Sequence, residues 1–233
     1  MRGSLPAVQS LTAGYADTSG FLALKGLFTS HVTGNFVTLG SALVFGSSGA
    51  LAKTLALPMF CLAVLLIRLL ALRLRGSGRP VLRSVLTLQA VLLTAAAALA
   101  AWAGPFDDPD AGSALALGMI MVAAMAIQNA AHRVHLAHTP PSTVMTGTTT
   151  QIMLDLADWL HGPAPEKVTA IRARLRTMTL SVVLFAAGCA LAAVLYAKID
   201  KWCFCVLPLL AVFALLMRTD IAEAVARSQA RGT

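Results

Sequence analysis

Apolar residues run through the chain in eight stretches, Leu5–Leu24, Thr33–Phe45, Leu55–Leu74, Leu82–Ala103, Ala114–Ala131, Thr146–Trp159, Thr177–Ala197 and Trp202–Met217, separated by short polar or basic connections. None alternates with the period of two that a barrel strand needs. Most approach the roughly 20 residues with which a helix crosses about 30 Å of hydrocarbon. The pattern predicts an all-α polytopic membrane protein.

The second and sixth stretches are too short to span comfortably, and each opens at a related tripeptide, Thr33-Gly34-Asn35 and Thr146-Gly147-Thr148. Their offset, 146 − 33 = 113, also pairs Ser30 with Thr143 and Ala13 with Ala126. Duplicated halves with interrupted helices at matching positions are the mark of transporter-like folds with a midplane site. The expected architecture is a 3+3 inverted-topology repeat with two short re-entrant half-helices.

Charge orients this scheme. Arg68, Arg73, Arg75, Arg79 and Arg83 surround the third connection, which the positive-inside rule assigns to the cytoplasm, so Asp107, Asp108 and Asp110 lie outside. Arg172, Arg174 and Arg176, and later Arg218, Arg227 and Arg231, mark cytoplasmic positions again. Eight full crossings would put the Arg172–Arg176 turn outside. Short segments that enter and leave on one side remove the conflict. The expected units are a first repeat over 1–104, an external linker over 105–112, a second repeat over 113–217 and a cytoplasmic tail over 218–233, with both termini cytoplasmic.

Composition agrees: 58% of residues are hydrophobic, 12% are charged and the mean hydropathy is +0.77. The net charge of +8 sits in arginines at the ends of apolar runs, so it reads as membrane topology, not nucleic-acid binding. Gln9, Ser10, Thr12, Asp17, Thr18 and Ser19 interrupt the first stretch, which therefore reads as a retained helix and not a signal peptide. The expected partners are the lipid bilayer and a small molecule or ion, and a homo-oligomer is compatible with the pattern.

The chemistry expected is binding, not catalysis. No nucleophile elbow, zinc-protease, phosphate-loop or dinucleotide fingerprint occurs, so neither an enzyme nor a cofactor is expected. Cys61, Cys189, Cys203 and Cys205 lack zinc spacing and read as small apolar packing residues. His132, Arg133, His135 and His138 read as a basic membrane edge, not a metal site, and Asp155 and Asp158 as a solvated rim.

The candidate substrate-binding residues are Asp17, Thr33, Gly34, Asn35, Gln128, Asn129, Thr146, Gly147 and Thr148. Thr33 is read as a helix N-cap and Gly34 as a point of close approach, at a terminus whose first amides have no intrahelical acceptor and favour an anion or carboxylate. Asp17 falls inside an apolar segment, where a carboxylate costs about 2.5–3.5 kcal/mol and so faces a cavity or a partner such as Lys25 or His31. The aligned neighbourhood of the second half carries the neutral amides Gln128 and Asn129. Helix packing by Gly34, Gly40, Gly147 and the threonine hydroxyls is the competing explanation.

The motifs Gly14-Tyr15-x-Asp17, Phe28-x-x-His31-Val32-Thr33-Gly34-Asn35, Gln128-Asn129 and Thr143-x-x-Thr146-Gly147-Thr148 resemble those of the YoaK-like family of bacterial membrane proteins, a family of unknown function. The resemblance runs from about Ala7 to Met217. It implies a multi-pass helical protein of the bacterial inner membrane. The leading expectation is a small-solute secondary transporter or channel-like permease, with Asp17 able to carry a coupling proton. The alternative is a non-transporting membrane sensor or assembly subunit.

Overall fold

The structure, a computed structural model, describes residues 4–76, 80–137, 139–162 and 164–217. Arg79, His138 and the expected tail over 218–233 lie outside the described residues. The described chain is helical: α1 (Ser4–Ala23), a 3-10 turn (Val32–Gly34), α2 (Asn35–Phe45), α3 (Ala50–Gly76), α4 (Val81–Ala103), α5 (Gly112–His135), α6 (Met145–His161), α7 (Pro165–Ile199), a second 3-10 turn (Asp200–Cys205) and α8 (206–217). Ala50–Leu74, Val81–Ala103, Gly112–His135 and the run Pro165–Met217 are long and apolar enough to cross a membrane.

These elements follow the hydrophobic stretches closely, with one large difference. The seventh helix begins at Pro165, twelve residues before the apolar run at Thr177. Proline at the first helical position and Glu166 in the first turn suit a helix start, and the arginine-rich turns that follow prolong α7 beyond its apolar part.

Two ends of the bundle can be recognised. At one, the Asp110 carboxylate accepts the N–H groups of Gly49, Leu51 and Ala52 at 2.9–3.3 Å and so caps α3. Lys25, just past α1, donates to the Asp107 carbonyl, and Lys201, just past α7, donates to the Gly104 carbonyl at 2.6 Å. At the other end Leu5, Val8, Leu86 and Ala214 pack together with Leu82, Leu136 and Leu215. The starts of α1 and α4 and the ends of α5 and α8 therefore lie together, opposite the 104–111 connection.

α1 carries several polar residues and is nevertheless largely enclosed. Gln9, Ser10, Thr12, Asp17 and Ser19 of α1 are all buried. Ser10 and Thr12 return their hydroxyls to the Pro6 and Val8 carbonyls at 3.0 and 2.9 Å, which removes two polar groups without an outside partner. α1 crosses α7 with the two backbones in contact. A Cβ on Gly14 would sit 2.1 Å from the Phe185 carbonyl oxygen, and one on Gly188 would sit 2.2 Å from that of Leu11. Glycine at both positions is what permits this approach. The outward faces carry Leu62, Leu65, Leu66 and Leu69 of α3 and Val183 and Val194 of α7, all exposed.

α1 packs chiefly against α7, whereas α5 packs against α3 and α4, and each short helix lies on the long helix that follows it, α2 on α3 and α6 on α7.

Candidate functional site

The chain leaves α1 at Ala23 and turns sharply through Lys25 and Gly26, whose φ values of 47° and 96° are left-handed. Glycine takes that conformation without penalty. Lys25 is held in it from both sides, by its own ammonium on Asp107 and by Lys53 Nζ donating to its carbonyl at 3.0 Å. By Thr29–His31 the chain has returned to the level of Asp17, six residues and about 9 Å back along α1.

Asp17 is what holds it there. Its Oδ1 accepts the backbone N–H groups of Ser30 at 2.6 Å and Thr29 at 2.8 Å and the Thr29 hydroxyl at 3.3 Å. The other oxygen, Oδ2, takes the His31 backbone N–H at 3.3 Å and contacts the imidazole Nδ1. A carboxylate receiving several N–H groups is a strong, charge-assisted anchor, and here it accounts for a buried acid in an apolar helix. Asn35 closes the same segment: its Oδ1 accepts the Phe28 N–H at 2.9 Å and its Nδ2 donates to the Phe28 carbonyl at 2.8 Å.

The second half doubles back in the same way with different chemistry. After α5 ends at His135, Ser142 and Thr143 have returned to the level of Gln128 and Asn129. Thr143 Oγ1 donates to Asn129 Oδ1 at 2.7 Å, and Gln128 Nε2 donates to Ser142 Oγ at 3.1 Å and to the Gln9 carbonyl at 2.8 Å. Gln89 Nε2 donates to Gln128 Oε1 at 2.8 Å, so a row of buried amides joins α4 to α5 and α1. Neutral amides do here what a carboxylate does in the first half.

Neither tripeptide caps its helix. The Thr33 reading fails because the 3-10 turn Val32–Gly34 runs straight into α2: Gly34 N–H donates to the His31 carbonyl at 2.8 Å, and the Asn35 N–H bonds back to the Val32 and Thr33 carbonyls. In the second half α6 already begins at Met145, and the Thr148 hydroxyl bonds the Val144 carbonyl at 2.9 Å. Several amides expected to be open to an anion are thus already paired. Gly147 has only Val144 Cγ1 near a would-be Cβ, at 3.6 Å, whereas Gly34 faces the Phe28 ring at 3.0 Å.

The two tripeptides line different clefts. A cleft of about 570 Å³ lies between α1, the doubled-back segment and α7, lined by Asp17, His31, Thr33 and Gly34 with Phe21, Phe28, Phe185 and Cys189. Asp17 is nearly closed off within it, while the His31 side chain is 33% exposed and stands edge-on to the Phe185 ring, centroids 5.2 Å apart. His31 therefore presents its imidazole to the cleft, beside the hydroxyl-bearing Thr18 and Thr33 and a wall of Phe21, Phe28 and Phe185. Thr146 lines a separate open groove on α6 with Met145, Thr149 and Met153. Gln128 is buried in the amide row, and Asn129 borders a third cleft, beside α3.

Two features escape sequence reading. Asp155 is not a solvated rim residue: it is buried, accepts from Gln151 Nε2 at 2.8 Å and forms a bidentate pair with Arg174, which ties α6 to α7. Gln9 and Gln89 complete the buried amide row. Their only sequence signal is an amide inside an apolar run.

Enclosed polar groups at the centre of a bundle whose outer surface is leucine and valine define a polytopic membrane protein. The chain belongs to the family described as "Protein of unknown function (DUF1275)", whose profile matches residues 5–217. It is similar to the UPF0700 transmembrane protein YoaK of Bacillus subtilis (strain 168), 28% identical over 226 residues that cover 94% of this chain and 95% of that one. The resemblance drawn from the Thr-Gly motifs is thereby borne out. No solved structure matches the chain.

Proposed function

We propose that the protein is a small-solute transporter or channel-like permease of the bacterial inner membrane, and that the cleft under His31 is its solute site. The observation that carries this reading is the position of that cleft: it opens where the chain doubles back into the bundle beside α1. Such breaks in transporters are where non-helical backbone lines a cavity. The aromatic wall of Phe21, Phe28 and Phe185 suits the apolar part of a small carboxylate, and His31, when protonated, suits its charge. Asp17 contacts the imidazole and so orients it in the cleft, and the same reading couples entry of the solute to entry of a proton.

The same reading treats the chain as a 3+3 inverted repeat with α2 and α6 as re-entrant half-helices, and residues 105–112 as an external linker. Three features support it. The pairings α1 with α7 and α5 with α3 exchange under the offset of 113, the chain doubles back after both α1 and α5, and α2, at 11 residues or about 16 Å, is too short to span. With the arginines of the α3–α4 connection inside, the shared end of α1 and α8 is cytoplasmic.

The test is a thermal-shift panel on the detergent-solubilised full chain, using small aliphatic and aromatic carboxylates beside their neutral amides. Stabilisation by at least one carboxylate, absent with its amide and lost in His31→Gln, is expected. A panel with no carboxylate-specific stabilisation would remove the solute reading. A second reading, a non-transporting sensor or assembly subunit, draws on the full pairing of Asp17 by loop amides, which gives that residue a structural task. Binding without movement of solute across a membrane would favour it.

A further inference from the structure

A second cleft, of about 340 Å³, lies between α3, α4 and α5 near the end of the bundle where α1 begins. Phe60, Val64, Ile67 and Ala71 recur along one face of α3 and form an apolar strip about 16 Å long. Val85 of α4 and Ala131 of α5 close its sides. The strip ends in cations: Arg68 and Arg133, both exposed, border it, and none of the residues lining it is acidic. Arg133 is two residues from the end of α5, so this charge sits near the membrane surface, while Phe60 lies eight residues, about 12 Å, deeper than Arg68.

This cleft is the counterpart of the His31 cleft under the offset of 113. Asp17, Thr18, Phe21 and Leu22 of the first correspond to Ala130, Ala131, Val134 and His135 of the second, all of which line it. Where the first cleft holds a buried carboxylate beside an imidazole, the second has alanine in place of the acid and two guanidiniums at its mouth. The repeat has thus kept the groove and replaced its chemistry. An apolar strip bordered by basic side chains and by no acidic one complements an anionic amphiphile.

We propose that the α3–α4–α5 cleft binds an anionic phospholipid, with an acyl chain along Phe60, Val64 and Ile67 and its phosphate between Arg68 and Arg133. Arginine suits this task because its planar fork meets phosphate oxygens bidentately. The assignment stands on this cleft alone and is independent of what the His31 cleft takes.

Native mass spectrometry of the detergent-purified full chain, titrated with phosphatidylglycerol or phosphatidylcholine of matched acyl chains, tests it. The wild-type chain should carry phosphatidylglycerol in preference. Arg68→Gln and Arg133→Gln should each cut that preference about fivefold and leave phosphatidylcholine adducts unchanged. Arg83→Gln and Arg172→Gln, basic positions outside the cleft, should leave the preference intact, and millimolar glycerol 3-phosphate should not displace the lipid. The assignment is overturned if the Arg68/Arg133 double variant keeps the wild-type preference. It is equally overturned if Arg83→Gln lowers the preference as much, which would mean diffuse surface charge, or if glycerol 3-phosphate displaces the lipid, which would mean a site for a free phosphate.

Discussion

The Ser30 backbone N–H donates to Asp17 Oδ1 at 2.6 Å, and this bond joins a residue midway along the central helix to a chain that has already left it and come back. With the Thr29 N–H on the same oxygen at 2.8 Å, one carboxylate fixes the depth to which the segment before α2 enters the bundle. Removing it should cost folding before it costs anything else. Asp17→Ala is expected to lower stability by about 1–3 kcal/mol for each buried amide left unpaired, and Asp17→Asn, which keeps one acceptor oxygen, by less. Thermal unfolding of the three proteins in one detergent checks the order.

The α1–α7 crossing should be intolerant of a single methyl group. A Cβ at Gly14 or Gly188 meets a backbone carbonyl, which cannot rotate away as a side chain can, so the helices must separate. Gly14→Ala and Gly188→Ala are each expected to cost about 1–3 kcal/mol. Gly40→Ala, where a Cβ meets nothing within 4 Å, should be neutral or slightly stabilising in α2. Equal melting temperatures for all three would contradict this packing.

Gln128 holds the second half as Asp17 holds the first. Gln128→Leu leaves the Ser142 hydroxyl, the Gln9 carbonyl and the Gln89 amide short of a partner, at about 1–3 kcal/mol for a group stranded in the core. Hydrogen exchange should then rise at residues 139–144 while the segment over 28–31 stays protected. Exchange that rises equally in both segments would mean that the halves are not held separately.

Asp155 and Arg174 should behave as a unit. Asp155 is buried, so Arg174→Gln strands a charge, whereas the double variant with Asp155→Asn leaves a neutral amide that can still accept from Gln151. The double variant should therefore be more stable than Arg174→Gln alone. A double variant no better than the single one would show that the pair contributes little.

Much of the fold is legible in the hydrophobic runs, because a helix that must satisfy its own backbone in lipid needs an unbroken apolar stretch. α1 runs from Ser4 where the pattern begins at Leu5, and α4 ends at Ala103 as read. The first three turns of α7 were not legible, since Arg172, Arg174 and Arg176 carry no apolar signal and their helix rests on Pro165, Glu166 and the Asp155 pair. In the site, Asp17 reads from the sequence as a costly residue needing a partner, with Lys25 and His31 in reach. That His31 joins Thr33 in lining the cleft depends on how far the chain returns after Ala23. The left-handed turn at Lys25 and Gly26 and the five groups converging on Asp17 set that depth. Local spacing does not encode it, nor does it distinguish the 3-10 turn at Val32–Gly34 from a capped helix start.

Solute movement through the His31 cleft is the central claim, and uptake by proteoliposomes holding the full chain tests it most directly, using the carboxylate that stabilises the protein most. The expected result is uptake above protein-free vesicles, faster with the outside acidic, and abolished in His31→Gln vesicles in which the variant is equally folded. Uptake no greater than in protein-free vesicles, or undiminished in His31→Gln, would contradict the account.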